Sequence, residues 1–250
     1  MTNRVAVVTG GAQGIGRATA AALHREGATV LVSDIDGVRA KECSEELGLA
    51  GAIACDVRDE QQVASMIEEV VRDRGRIDVL VANAGIGSVA PPVIQMPLER
   101  WRNTVSVNLD GVFLSIKHAG AQMVQQGAGT IITLASITAQ NGWPLLADYA
   151  AAKAGVISLT KTAALELRPF GVRVNAVCPG FIETQMVNLA KSDLEKALGQ
   201  DFDALIIEKQ GRYGTVEDIA DLIAYLASDR AAWISGSAYV ADNGFTASNL

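Results

Sequence analysis

The chain has 250 residues, 49% hydrophobic and 5% aromatic, with a formal net charge of −7 and a pI near 4.9. An acidic chain without clustered Lys and Arg argues against a nucleic-acid surface, and no apolar run approaches the ~18 residues that suggest a membrane span. Three scattered cysteines (Cys43, Cys55, Cys178) and two histidines (His24, His118) leave no pattern for a disulfide framework, a metal site or a Ser-His-Asp triad. Met1 leads straight into a short apolar strand with no signal-peptide core, so a cytoplasmic protein is expected.

Residues 4–9 read as a strand and 14–25 as a helix with apolar residues at helical spacing. A strand at 29–34, a helix at 37–47, a strand at 52–55 and a helix at 59–74 opened by Asp59 follow in turn. Next come a strand at 79–82, a long helical stretch at 98–126 broken near 108–111, and a strand at 130–134. A helix at 149–167 and a strand at 172–177 extend the alternation, and after Pro179-Gly180 it stops. Residues 184–211 show helical potential around 187–198 but no strand; a helix at 215–228 and a strand at 238–241 resume the pattern. Such alternation implies βαβ crossovers and an α/β fold, a doubly wound parallel sheet of about seven strands with helices on both faces. The expected organisation is one domain over 1–250 with an insertion at 184–211.

Thr9-Gly10-Gly11-Ala12-Gln13-Gly14-Ile15-Gly16 joins the first strand to the first helix. Glycines there permit a tight turn and bring backbone N–H groups and a helix N-terminus to a phosphate. Asp34 ends the second strand, where a carboxylate accepts from ribose hydroxyls and repels a 2′-phosphate. Ile35 and Gln13 supply no cation for such a phosphate, so the cofactor expected is NAD. Tyr149 and Lys153 lie four apart, on one face of a helix. An ammonium beside the phenol favours its ionised form, and such a Tyr can exchange a proton with an alcohol or carbonyl.

With Thr9-Gly10…Gly14-Ile15-Gly16, Asp56-Val57, Asn83-Ala84-Gly85, Asn108, Ser136, Tyr149…Lys153, Asn175…Pro179-Gly180 and Thr184 in this order, the whole chain resembles the short-chain dehydrogenase/reductase family. The resemblance implies a Rossmann fold and an NAD-dependent interconversion of a secondary alcohol and a ketone. Gly10, Gln13, Gly14, Ile15, Gly16 and Asp34 would bind the cofactor, with Asp56 and the Val57 backbone at the adenine and Asn83 and Gly85 near the adenosine ribose. Pro179, Ile182 and Thr184 would cover the nicotinamide. Tyr149 is the expected general acid/base, and Lys153 would lower its pKa and bind the nicotinamide ribose. Ser136 would hold the substrate oxygen, and Asn108 a water that relays protons to Lys153. Thr138, Trp143, Phe181 and Met186 are candidates for the pocket wall beside Ser136 and Tyr149, or else ordinary core. A homotetramer is the assembly such chains imply. Two alternatives stand: a 3-oxoacyl-thioester reductase using NADPH, which Asp34 disfavours, and a non-catalytic NAD-sensing module, which the intact Asn108, Ser136, Tyr149 and Lys153 disfavour.

Overall fold

A computed structural model describes residues 1–87 and 89–247 of the chain. The strands are β1 (Val5–Thr9), β2 (Thr29–Asp34), β3 (Gly51–Ala54), β4 (Val79–Ala82), β5 (Gly129–Leu134), β6 (Val172–Pro179) and β7 (Ala238–Ala241). All pair in parallel, in the order β3-β2-β1-β4-β5-β6-β7. The expected doubly wound sheet is therefore what the chain adopts. Val5 and Val7 of β1 enter one core and Ala6 and Val8 the other, the period-2 alternation of a strand buried on both faces.

One face is covered by α3 (Glu60–Arg74), α5 (Gly111–Gln126) and α6 (Ala147–Leu167), the other by α1 (Gly14–Arg25) and α9 (Val216–Ala227). Between β2 and β3 lies α2 (Gly37–Leu47), and α4 (Leu98–Val105) precedes α5. Local chemistry sets several boundaries. Asp59 accepts from the N–H groups of Gln61 and Gln62 and starts α3, and Thr215 with Asp218 forms a reciprocal capping box on α9. The expected break near 108–111 is a π-turn at Ser106–Asp110, where the Gly111 N–H reaches the Ser106 carbonyl.

Two elements depart from expectation. Strand β6 runs to Pro179 because Cys178 and Pro179 pair with Val240 and Ala241 of β7. Within 184–211, α7 (Gln185–Leu198) is followed by a second helix, α8 (Phe202–Gln210), capped by Asp201. The side chains of Phe202 and Ile206 from α8 and Leu194 from α7 form a third small core with Phe181 and Ile137. Among the described residues no helix is long and apolar enough to cross a membrane.

The strand order reverses direction between β1 and β4, so the loops after these strands part and leave a crevice at their carboxyl ends.

Candidate active site

That crevice is a cleft of about 600 Å³. Its floor is the glycine turn. Gly10 has φ +62°, and a Cβ there would stand 2.7 Å from Ala84 Cα; a Cβ on Gly16 would stand 2.2 Å from the Gly10 carbonyl oxygen. The Asn83 amide donates to the Thr9 and Gly10 carbonyls (2.9 and 3.0 Å), while Thr9 Oγ1 accepts from the N–H groups of Asn83 and Ala84. These bonds tie the turn to the end of β4. No side chain among the described residues caps α1, so its first-turn N–H groups open on the cleft lined by Gln13, Gly14, Ile15 and Gly16. Asp34 lines the same end, accepting from Ala12 N and Asp36 N (both 3.2 Å). A tight glycine cradle, free helix N–H groups and a carboxylate at the end of β2 fit a nicotinamide dinucleotide.

Beyond Asp34 lies a network that motif reading did not single out. The Arg58 guanidinium forks onto Asp56, Nε at 2.9 and 3.0 Å from its two oxygens and Nη2 at 2.6 Å from one, and Nη1 donates to Asn103 Oδ1 at 3.3 Å. This guanidinium holds the Asp56 carboxyl below its ordinary range. The only sequence signal for Arg58 is its place directly after the Asp56-Val57 pair.

At the other end, Ser136, Tyr149 and Lys153 share the wall. Ser136 sits just past β5 and opens a short turn; its Oγ accepts from Thr138 N (3.2 Å) and Thr138 Oγ1 (2.9 Å). With both lone pairs engaged, the Ser136 hydroxyl is left to donate its single proton outward, to Tyr149 or to a substrate oxygen. Lys153 is buried, and its Nζ donates to the Leu134 carbonyl at 2.6 Å and lies 5.7 Å from the Tyr149 ring centroid. Burial draws the ammonium down to about 8, against the nearby Cys178. Burial also pushes the Tyr149 phenol upward, and the Ser136 hydrogen bond works the other way. In the protein alone desolvation outweighs the Ser136 donor at the phenol, while the Leu134 carbonyl takes one of the three N–H groups of the Lys153 ammonium.

The cleft gathers Gly10, Gln13, Gly14, Ile15, Gly16, Asp34, Asp56, Val57, Asn83, Gly85, Ser136, Tyr149, Lys153, Pro179, Ile182, Thr184 and Met186. Four residues expected at the site lie behind it. Asn108 is fully buried in the π-turn, its amide clamping the Ile86 backbone at 2.8 and 2.7 Å. Thr138 supports Ser136 rather than lining the wall. Trp143 and Phe181 pack edge-on, 5.2 Å between centroids, in an aromatic cluster with Phe202 and Phe245. Their apolar surfaces serve that core. Gln210 also escaped sequence reading: buried, it exchanges hydrogen bonds with the Phe181 backbone (3.0 and 2.8 Å) and pins the loop after β6.

Asp148, one residue before Tyr149, is buried and anchors the start of α6. It accepts from Thr104 Oγ1 (2.8 Å) and from the Tyr149 N–H (2.9 Å) and pairs with Arg100 (3.3 Å).

A family model described as enoyl-(acyl carrier protein) reductase matches residues 10–246. The chain is 39% identical over 250 residues to a cis-4-hydroxycyclohexanecarboxylate dehydrogenase of Sinomonas cyclohexanicum, covering 98% of this chain and 97% of that one. It is also 39% identical over 249 residues to a 3-oxoacyl-(acyl-carrier-protein) reductase of Thermotoga maritima, covering 98% of each chain. The crystal structure of an NAD+-bound xylitol dehydrogenase superposes with a TM-score of 0.90 at 31% identity, over 97% of this chain and 99% of that one.

Proposed function

From the premise that this chain belongs to the short-chain dehydrogenase/reductase family and is an oxidoreductase, we propose that it interconverts a secondary alcohol and a ketone with NAD. The observation that carries this reading is the cleft's two-ended build. Asp34 and the glycine turn stand at one end, with Ser136, Tyr149 and Lys153 at the other.

The nicotinamide, when bound, supplies the hydride chemistry. This chain's residues do the rest. Tyr149 removes the hydroxyl proton in oxidation and returns it in reduction. Ser136, its lone pairs held by Thr138, donates to the substrate oxygen as negative charge develops there. Lys153 supplies positive charge behind the phenol and a donor for the nicotinamide ribose. Asn108 holds the Ile86 backbone and so shapes the wall between the two ends, while the π-turn around it leaves the backbone ladder offset beside Lys153, where a relay water is expected.

Ile86, Met186 and Val187 line the reactive end, and among the described lining residues the basic side chains are Arg58, at the far end, and Lys153. An uncharged, apolar alcohol or ketone fits that wall better than a phosphopantetheine thioester. The oxoacyl reductase remains the second reading because a relative with that name is as similar as the alcohol dehydrogenase; Asp34 weighs against the NADPH it would use. A non-catalytic module has no use for a Ser136 hydroxyl oriented by two donors.

Residues 184–211 act as the lid, α7 and α8 being joined by the ion pair between Lys191 and Asp203, which also accepts from the Tyr213 hydroxyl (2.9 Å). The expected assembly is a homotetramer, for which exposed Phe113 on α5 and Leu165 on α6 offer apolar surface.

The test is turnover of cyclohexanol, xylitol and an acetoacetyl thioester, each with both nucleotides, followed by cofactor absorbance. Oxidation of cyclohexanol with NAD outpacing every NADP reaction is expected. Thioester reduction with NADPH as the fastest reaction would favour the second reading.

A further inference from the structure

Resting on the reading that the cleft holds a nicotinamide dinucleotide, the Arg58 network assigns a residue to its adenine end. Asp34 closes β2 and Asp56 follows β3, one strand farther from the switch point. With the pyrophosphate on the α1 N-terminus and the ribose on Asp34, the base extends toward β3. Val57, Ile35 and Val107 line that region with apolar surface.

Arg58 stands there with its edge fully directed. Nε and Nη2 are bound to Asp56 and Nη1 to Asn103, so the guanidinium spans from the β3 loop to α4. Hydrogen bonding in the plane uses the edge and leaves the flat faces free, and the side chain remains 40% exposed. A planar cation whose orientation is fixed before binding is a stacking surface for an aromatic base. Both Asp56 oxygens accept from Arg58, so the carboxylate is first the anchor of this plane.

We infer that Arg58 is a cofactor-binding residue, its guanidinium face stacking on the adenine, with Asp56 as its positioning residue. Stacking of this kind is indifferent to a 2′-phosphate. It therefore acts on affinity for the adenosine moiety, separately from the choice between nucleotides that Asp34 makes.

Isothermal titration of the full-length protein with ADP-ribose, which carries the adenosine and pyrophosphate but no nicotinamide, tests this without catalysis. Arg58→Ala is expected to weaken binding roughly tenfold. Arg58→Lys restores the charge but not the plane, so it is expected to bind as weakly as Arg58→Ala. Melting temperatures recorded alongside confirm folding at this half-exposed position. Unchanged affinity in Arg58→Ala, or full recovery in Arg58→Lys, would overturn the inference while leaving the dinucleotide reading intact. Failure of the unmodified protein to bind ADP-ribose would remove that reading and the inference with it.

Discussion

Replacing Tyr149 by Phe is expected to lower kcat by roughly 10²–10⁴-fold, the span that a positioned general acid or base contributes, with cofactor affinity little changed. The substitution deletes one oxygen and keeps the ring beside Lys153, 5.7 Å from its ammonium. Ser136 retains both bonds from Thr138, so its hydroxyl still points outward. The proton of the alcohol then has no acceptor. The pH dependence carries the same information. Because oxidation needs the unprotonated phenol, and burial raises its pKa in the protein, the rate of alcohol oxidation rises with pH until Tyr149 is ionised. In Tyr149→Phe that rise is expected to vanish. Steady-state rates across pH, with NADH binding measured separately, check both parts; a variant that keeps the original kcat and profile would place the proton transfer on another group.

Lys153→Met is expected to abolish turnover yet make the folded chain less sensitive to pH. An ammonium whose pKa falls from 10.5 to about 8 on folding binds its proton more tightly in the unfolded chain. Between those two pH values the unfolded state holds more protons, so stability rises with pH across the window. Below about 8 both states are protonated and the full desolvation cost, up to ~3 kcal/mol, opposes folding. Met removes the charge and hence this cost, although the Leu134 carbonyl loses its 2.6 Å partner. Urea unfolding at neutral pH and above the Lys pKa is expected to show a steeper gain for the unmodified protein than for Lys153→Met. Equal slopes would mean that Lys153 is not desolvated on folding. A buried cation kept at such a cost is the pattern of a functional site, where stability gives way to chemistry.

The strand–helix alternation of the first two-thirds was legible because most of its strands are short, branched and apolar, and because Asp59 marks where α3 begins. Asp59 and Thr215 do cap their helices, and the interruption read near Asn108 corresponds to the π-turn. Helix α8 was not legible: its nine residues give too few turns to establish a period, and its burial depends on Phe181 from β6's distant loop.

The cleft contained the motif residues because turn chemistry and strand ends are local properties of sequence. What escaped were residues whose role depends on a partner far along the chain. Thr138, read as either pocket wall or ordinary core, supports Ser136 from behind, since a hydroxyl two residues away can reach back as readily as outward. Trp143 and Phe181, read as either pocket wall or ordinary core, lie in the core, because aromatic side chains bury large areas against each other, and Phe245 completes that cluster from the far end of the chain. Arg58 is tied to Asn103, 45 positions on, a contact that no spacing rule within one element reveals.

The most direct measurement is a fluorescence titration of the purified protein with NADH and with NADPH, repeated on Asp34→Ala. Asp34 lines the end of the cleft proposed for the ribose, its carboxylate held by the Ala12 and Asp36 N–H groups, where it would meet a 2′-phosphate as charge on charge. Tight NADH binding, feeble NADPH binding and a preference that collapses in Asp34→Ala are the predicted results. Equal or tighter NADPH binding by the unmodified protein would contradict the assignment of NAD and put the oxoacyl-thioester reductase in first place.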